Sequence, residues 1–450
     1  MRRGVMSLYS LSARKGTIPP ENMLGCFSGR PVDRAPSATH IVGVRERDHT
    51  RRPSIRADLY REMAILQPTT TEELSELLKE CHARKQVVVP TGGGTHQHVG
   101  APASADAEVL DLSRLRGAVY HDADDMVASY RAGTAVALLQ NDLRGLNQRL
   151  EVDPSHPAST LGGALAIDHY GPRCHAWGTL RDKVLGMTYV LADGSVIRAG
   201  GRTVKNVAGY DLSRLMVGSL GTLGVISEVT LRLSPIGEMQ RIWVFAYGSV
   251  RDAWNAAQKI NRSHLEPVAV CMMDYEAFSK LGETAPEGEA LVLVGAEGLE
   301  EAVVYHEQQL PMILGRAPDL TIMDERCSSL WERWSGALKD VGLTPFLLRC
   351  GCRPGHFPRL LNILYQNYGY YAYVGRGYLF IPVSTVQALD EIRGAFDTIG
   401  GYATVWRTSR ELDWERVWGT PRGDVAIMRK LKALHDPHGI LNPGRFYGGI

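Results

Sequence analysis

The sequence predicts an α+β chain of two domains. Three observations point there. At 450 residues the chain is longer than one ordinary hydrophobic core supports. Its apolar runs are short and bounded by glycine, proline and Asp-Gly, unlike the long βαβ alternation of a dinucleotide-binding fold. Near residue 240 the pattern changes, and strands begin to alternate with amphipathic helices under an aromatic-rich end.

The elements follow in order. Pro68-Thr-Thr-Thr-Glu-Glu-Leu74 reads as a capped helix start, since a threonine with acids in the first turn suits the helix dipole. Gln86-Val-Val-Val-Pro90 is a buried strand, and Glu108–Leu112 and Met126–Ala132 are two more. Thr134–Leu150 is expected to be helical, with Val136, Leu139 and Leu143 on one side. Val184–Ala192 and Ser195–Ala199 flank Asp193-Gly194, a hairpin signal. In the run 225–233, alternation puts Val225, Val229, Leu231 and Leu233 inward, and Glu228, Thr230 and Arg232 outward. Beyond it, Ile242–Tyr247, Pro267–Met273, Leu291–Val294, Phe346–Cys350, Tyr371–Pro382 and Ala403–Arg407 read as strands. Ser249–Arg262 and Val386–Ile399 read as helices, so a sheet covered by helices on one face is expected.

Composition narrows the function. The chain is 44% hydrophobic and 22% charged, as a globular protein is, and its net charge of +1 gives no reason to expect nucleic acid as a partner. No apolar run is long enough to span a bilayer. The seven cysteines are scattered and form no Cys-x-x-Cys, which argues against an iron–sulfur cluster or structural zinc and for reduced thiols in the cytoplasm. Residues 1–56 carry eleven Arg or Lys against four Asp or Glu with little periodicity. They are expected to be a disordered basic arm or the product of an upstream start codon, with Met6 and Met23 as alternative starts.

Four short motifs carry the chemistry: Pro90-Thr91-Gly92-Gly93-Gly94-Thr95, Thr160-Leu161-Gly162-Gly163, Lys205-Asn206-Val-Ala-Gly-Tyr210-Asp211 and Gly221-Thr-Leu-Gly-Val225-Ile226. Three glycines after a strand let consecutive N–H groups converge on one point, a concavity suited to a pyrophosphate, and a branched side chain there would fill the space the phosphates need. A bare triple glycine is more often a turn. Four such devices in order make a large polar cofactor the better reading.

Together with Gly201–Leu215, Gly218–Ile226 and the tail Asp436-Pro-His-Gly-Ile-Leu-Asn-Pro-Gly-Arg445, these motifs resemble the vanillyl-alcohol oxidase/p-cresol methylhydroxylase (PCMH) type of FAD-binding family. Within it the likeness runs to the FAD-binding subunits of bacterial glycolate oxidase. The resemblance covers most of residues 60–450. It implies a two-part PCMH-type FAD-binding domain at 57–237, an α+β substrate cap domain at 238–410, and a C-terminal segment, 411–450, that packs back on the FAD domain.

It also implies roles. Residues 90–95 and 160–163 would wrap the FAD pyrophosphate, with Val225 and Ile226 making an edge contact to the cofactor. Lys205, Asn206, Tyr210 and Asp211 would lie against the flavin ring, where a cation or amide stabilises developing negative charge. Arg181-Asp182 matches a further family pair, open between a cofactor contact and a structural ion pair. Many relatives link FAD covalently through a histidine after the glycine pair. Here that position is Thr95, with His96 one residue beyond, so noncovalent FAD is expected. The metal-binding histidine pair of the D-lactate and D-2-hydroxyglutarate branch has no counterpart, and no metal is expected.

A 2-hydroxy acid needs its carboxylate held, which arginine does with two parallel bonds. Arg407 and Arg173 are the candidates, and in Tyr402-Ala-Thr-Val-Trp-Arg407 alternation puts Ala403, Val405 and Arg407 on one face. The hydroxyl proton needs a base, for which Tyr210, His169 and His175 are available. The expected function is oxidation of glycolate or D-lactate to the 2-keto acid by the flavin subunit of a glycolate oxidase-like complex. An iron–sulfur subunit and a second flavin subunit would be its partners, in the cytoplasm or held at the inner membrane by them. Two alternatives stay open: an FAD-carrying electron-transfer or assembly subunit without its own turnover, and a stand-alone alcohol or sugar oxidase.

Overall fold

The computed structural model describes residues 65–450 except 105, 154–155, 204–210, 339–343, 361–368 and 422. The expected arm at 1–56 therefore lies outside the described residues, as do Lys205, Asn206 and Tyr210.

The first helix is Thr71–Arg84. The Thr70 hydroxyl accepts from the Glu73 N–H at 3.1 Å, and the Glu73 carboxylate accepts in return from the N–H and hydroxyl of Thr69. Such reciprocal capping stabilises a helix start by about 0.5–2 kcal/mol. Leu74, Leu78 and Cys81 recur at helical spacing and are buried. They pack with Val88, Leu110, Val190 and Val225 in one core. The strands beside them form a parallel sheet in the order Ile65–Leu66, Glu108–Asp111, Val88–Thr91.

A second, antiparallel sheet runs Ala118–Asp122, Val127–Arg131, Val225–Arg232, Val184–Val190, Val196–Gly200. The Asp193-Gly194 turn joins its last hairpin, with Gly194 at φ +84°. Strict alternation fails in Val225–Arg232. Thr188 pairs with Glu228 but Tyr189 pairs with Ile226, so Ser227 is an extra residue. The bulge sends Val225 into the core under the parallel sheet, while Ile226, Val229 and Leu231 enter the core of the second sheet. Thr230, expected to face out, is buried and hydrogen-bonded to Ser129. The expected helix 134–150 is shorter, Val136–Arg144. Gly145 stops it, and Gln148–Arg149 becomes a strand paired with Ser234–Pro235.

The remaining strands build one antiparallel sheet of eight: Leu320–Met323, Met239–Tyr247, Ala290–Gly298, Ala269–Asp274, Tyr371–Tyr373, Tyr378–Val383, Phe346–Gly351, Tyr402–Thr408. Leu320–Met323 was not expected from the sequence, and the single expected strand 371–382 is two, split by a turn with Gly377 at φ +69°. The helices Val250–Asn261, Glu300–Leu314 and Val386–Thr398 cover one face. The other face is also covered, by Glu325–Ala337, by Tyr275–Ser279, and by Tyr170 and Cys174 from the first half of the chain. That second covered face corrects the one-sided layer read from the sequence, and Val99, Ile167 and Leu220 from the first half pack against Trp406 on the last strand of the sheet.

The tail returns to the first half. Ile440 and Leu441 are fully buried, Val88 donates its N–H to the Ile440 carbonyl, and Asn442 donates to that of Val88. Asp436 holds the turn by accepting from the N–H groups of Ile440 and Leu441 and from the Lys432 ammonium.

Candidate active site

Two glycine loops meet at the junction of these parts. The first, Gly92–Thr95, leaves the end of Val88–Thr91. A side-chain carbon on Gly93 would fall on the Ala158 carbonyl oxygen, and one on Gly92 would fall on the Thr160 hydroxyl. Glycine is needed here because the two loops touch backbone to backbone. Gly94 turns at φ +69°. Among the described residues the N–H groups of Gly92, Gly93 and Gly94 have no backbone acceptor, as a loop that offers donors to a phosphate requires.

The second loop works differently from the sequence expectation. Its donors are committed to the chain: Leu161 to the Thr134 carbonyl at 2.8 Å, Gly162 to the Ala132 carbonyl at 2.8 Å, and Gly163 to the Thr160 hydroxyl at 3.3 Å. Gly162 is glycine because a side-chain carbon would stand 2.8 Å from the Ala132 methyl. The loop is a wall against which the first loop is set, and Leu161 is a core residue.

Pro90, Thr91, Gly92, Thr160, Gly162, Gly163, Val225 and Ile226 line one stretch of the groove between the two sheets. Gly93, Gly94, Thr95 and His96 line the adjoining stretch with Asn442 and Arg445. Arg445 clamps the loop, donating to the Gln97 side chain (2.6 Å) and to the carbonyls of Gln97 and Val99 (both 2.8 Å). Asn442 donates to the Leu220 carbonyl at 2.7 Å. A groove of free N–H groups, without side chains at its closest points, suits the diphosphate of an extended nucleotide cofactor.

Asp182 does not line this groove. Its carboxylate accepts from the Thr179 N–H at 2.9 Å and closes a capping box at Leu180–Asp182. His96, beyond Thr95, is hydrogen-bonded to the Ser159 hydroxyl at 2.9 Å.

Past the first loop the groove opens into a cavity of about 330 Å³. Val99, Ile167 and Leu220 form its floor, packed with Trp406, Trp418 and Phe446. Its polar residues include Asp168, Arg349 and Tyr402. Sequence reading missed Arg349, which lies inside an apolar strand, Phe346–Gly351. The signal was present: one arginine in Phe346-Leu-Leu-Arg-Cys350 interrupts a run that is otherwise buried. Its guanidinium lies 4.8 Å from the Trp406 ring and 5.7 Å from that of Tyr170. Its Nε is sealed from solvent without a hydrogen-bond partner. No carboxylate lies within ion-pairing distance of it among the described residues.

The expected arginines are placed otherwise. Arg173 is bound to Asp153 at 2.7 Å and Glu297 at 3.4 Å, with its guanidinium 4.0 Å from the Trp177 ring. Glu297 also pairs with Arg149. This buried network ties the first half of the chain to the large sheet, and Arg173 does not line the cavity. Arg407 does not share a face with Ala403 and Val405, as alternation implied. Arg407 pairs with Leu347 but Val405 pairs with Leu348, so Trp406 is an inserted residue and Arg407 is turned to the sheet face that carries Arg349. It does not line the cavity either. Of the expected bases, His169 stands 5.8 Å from His96, ring to ring. His175 is pushed down from its usual range by burial and by Arg376. No cluster of metal-binding side chains occurs among the described residues.

Comparison with known proteins agrees with this layout. Residues 63–200 match the FAD binding domain, and residues 237–340 and 420–446 match the C-terminal domain of FAD linked oxidases. The chain is 34% identical to the D-lactate dehydrogenase of Archaeoglobus fulgidus over 85% of this chain and 90% of that one. It is 26% identical to the glycolate oxidase subunit GlcD of Bacillus subtilis, over 85% and 88%. It is 36% identical to the subunit GlcE of Escherichia coli, over 60% and 79%. A solved alkyldihydroxyacetonephosphate synthase shares the fold, with TM-score 0.65 and 20% identity over 85% of this chain and 77% of that one.

Proposed function

The chain belongs to the FAD-linked oxidases, and from that premise we propose that it oxidises a short 2-hydroxy acid, glycolate or D-lactate, to the 2-keto acid. The observation that carries this is Arg349: a cation without a carboxylate partner, in a cavity that continues the cofactor groove. The donors of Gly92–Gly94 would hold the FAD diphosphate, in the groove that Val225 and Ile226 also line. When bound, FAD supplies the two-electron oxidant. Arg349 orients the substrate by its carboxylate, and Trp406, Trp418 and Phe446 keep water from the reacting carbon.

Anaerobic addition of glycolate or D-lactate to the purified flavoprotein should bleach its flavin absorbance. An unchanged spectrum with both acids would sink the reading. Reduction only after a companion subunit is added would support the electron-carrying alternative.

Two of the relatives are named as subunits, so a multi-subunit assembly is part of the proposal. With no Cys-x-x-Cys in the sequence, an iron–sulfur subunit and a second flavin subunit would take the electrons onward. No described helix is long and apolar enough to cross a membrane. Attachment to the inner membrane would then run through those subunits.

The cofactor is proposed to be noncovalent. Thr95 holds the position of the linking histidine, and the His96 ring is hydrogen-bonded to Ser159. Acid precipitation should leave all flavin in the supernatant. Flavin fluorescence that stays with the denatured chain on a gel would show a covalent link.

A further inference from the structure

Arg349 faces an anion across the cavity. Asp168 lines the same cavity, from the segment that follows the helix Leu161–Ala166. No ion pair within 4.0 Å joins them among the described residues, and each keeps a buried polar atom without a partner, Oδ1 of Asp168 and Nε of Arg349. The cavity is also lined by Arg393, Asp397 and Asp424, but Asp168 and Arg349 are the opposite charges in it that each keep a buried atom unpartnered, and a group between them would satisfy both. A 2-hydroxy acid has the matching polarity, a carboxylate for the guanidinium and a hydroxyl proton for the carboxylate.

The backbone supports this. Asp168 is held at φ +49°, a conformation that costs a non-glycine residue about 1–2 kcal/mol. Its N–H is bonded to the Leu165 carbonyl at 3.0 Å. Sustained strain at a residue with an unpartnered oxygen is the mark of a positioned functional group.

We propose that Asp168 is the catalytic base that takes the hydroxyl proton of the substrate held by Arg349. This rests on the 2-hydroxy acid reading above. The O–H bond breaks and a bond from that proton to Asp168 forms. The carbinol carbon gives up its C–H bond with the electron pair, as hydride, to the two-electron oxidant already named, and the C–O bond becomes a carbonyl. Burial raises the Asp168 carboxyl above its ordinary range, which makes it a better proton acceptor. The groups that act on it are Thr179, Arg181 and Asp182 from the turn beside it, and Arg349 from the sheet.

The test uses the full-length flavoprotein and Asp168→Asn, which keeps size and polarity. With glycolate and D-lactate, wild-type kcat/KM should fall as pH drops through the Asp168 ionisation. Asp168→Asn should lose that limb and about 10²–10⁴-fold in rate, while keeping its FAD content. A second reading needs no turnover. Oxalate binding by calorimetry should weaken about 10-fold in wild type as Asp168 ionises, and should not do so in the variant. If neither acid is turned over but the oxalate difference is present, the substrate assignment fails and the role of Asp168 beside a bound acid stands. Equal pH profiles of oxalate binding in the two proteins overturn the proposal. So does wild-type turnover in the variant.

Discussion

Gly93→Val is expected to yield a colourless protein. A side-chain carbon at Gly93 would coincide with the carbonyl oxygen of Ala158, a backbone atom that no rotamer change can move. The Gly92–Thr95 loop would have to lift off the Ser159–Gly163 wall, taking its free N–H groups away from the diphosphate. Overpacking of this kind costs about 1–3 kcal/mol or more, so FAD affinity should fall on the order of 10–100-fold or beyond. The reason differs from the sequence expectation, in which the new side chain would invade the phosphate space itself. Gly394→Ala is the control, since it lies in the helix Val386–Thr398 with nothing within 4 Å of an added carbon. It should keep its flavin and gain about 0.5–1 kcal/mol of stability. Absorbance at the flavin maximum per mole of protein, with circular dichroism to confirm folding, reads both. A Gly93→Val protein with wild-type flavin content would remove this loop from the cofactor site.

The glycine loops were legible in the sequence because a close backbone approach leaves a residue type as its trace. The capped helix at Thr70 and the Asp193-Gly194 hairpin were legible for the same reason: local chemistry fixes them. What alternation could not show was where a strand bulges. Ser227 and Trp406 each insert one residue, and each reverses the facing of the residues on one side of it. Arg407 was assigned a face on a rule that holds only for an unbroken ladder. The committed donors of Leu161 and Gly162 were equally hidden. Their acceptors, the carbonyls of Thr134 and Ala132, lie nearly thirty residues earlier in the chain, and only the folded sheet brings them together. Arg349 was overlooked because its neighbours look like core, and a buried arginine announces itself only when the rest of its surroundings is known.

Arg349→Met should abolish turnover of 2-hydroxy acids while leaving FAD content intact. Arg349 lines the cavity but not the cofactor groove beside the glycine loops. Losing a charge-assisted bond costs about 1.5–3 kcal/mol, so the loss of a two-bond grip should lower kcat/KM by roughly 10²–10⁴-fold. Arg349→Lys keeps the charge without the fork and should lose on the order of 10-fold or more. Stability separates this role from a structural one. A structural arginine, such as Arg173 between Asp153 and Glu297, destabilises the protein when removed because it leaves its partners charged and buried. Arg349 has no carboxylate within ion-pairing distance among the described residues; Asp168, across the cavity, can take up a proton when the guanidinium is gone, and the cost of Arg349 itself is desolvation. Thermal unfolding of Arg349→Met should therefore be unchanged or shifted upward, while Arg173→Met should unfold at lower temperature. Arg407→Lys belongs in the same series, because the bulge turns Arg407 to the face of Arg349. If Arg407→Lys loses turnover and Arg349→Lys does not, the carboxylate grip passes to Arg407. If Arg349→Met unfolds early, the guanidinium is part of the core of the sheet and the cavity must hold its substrate by other means.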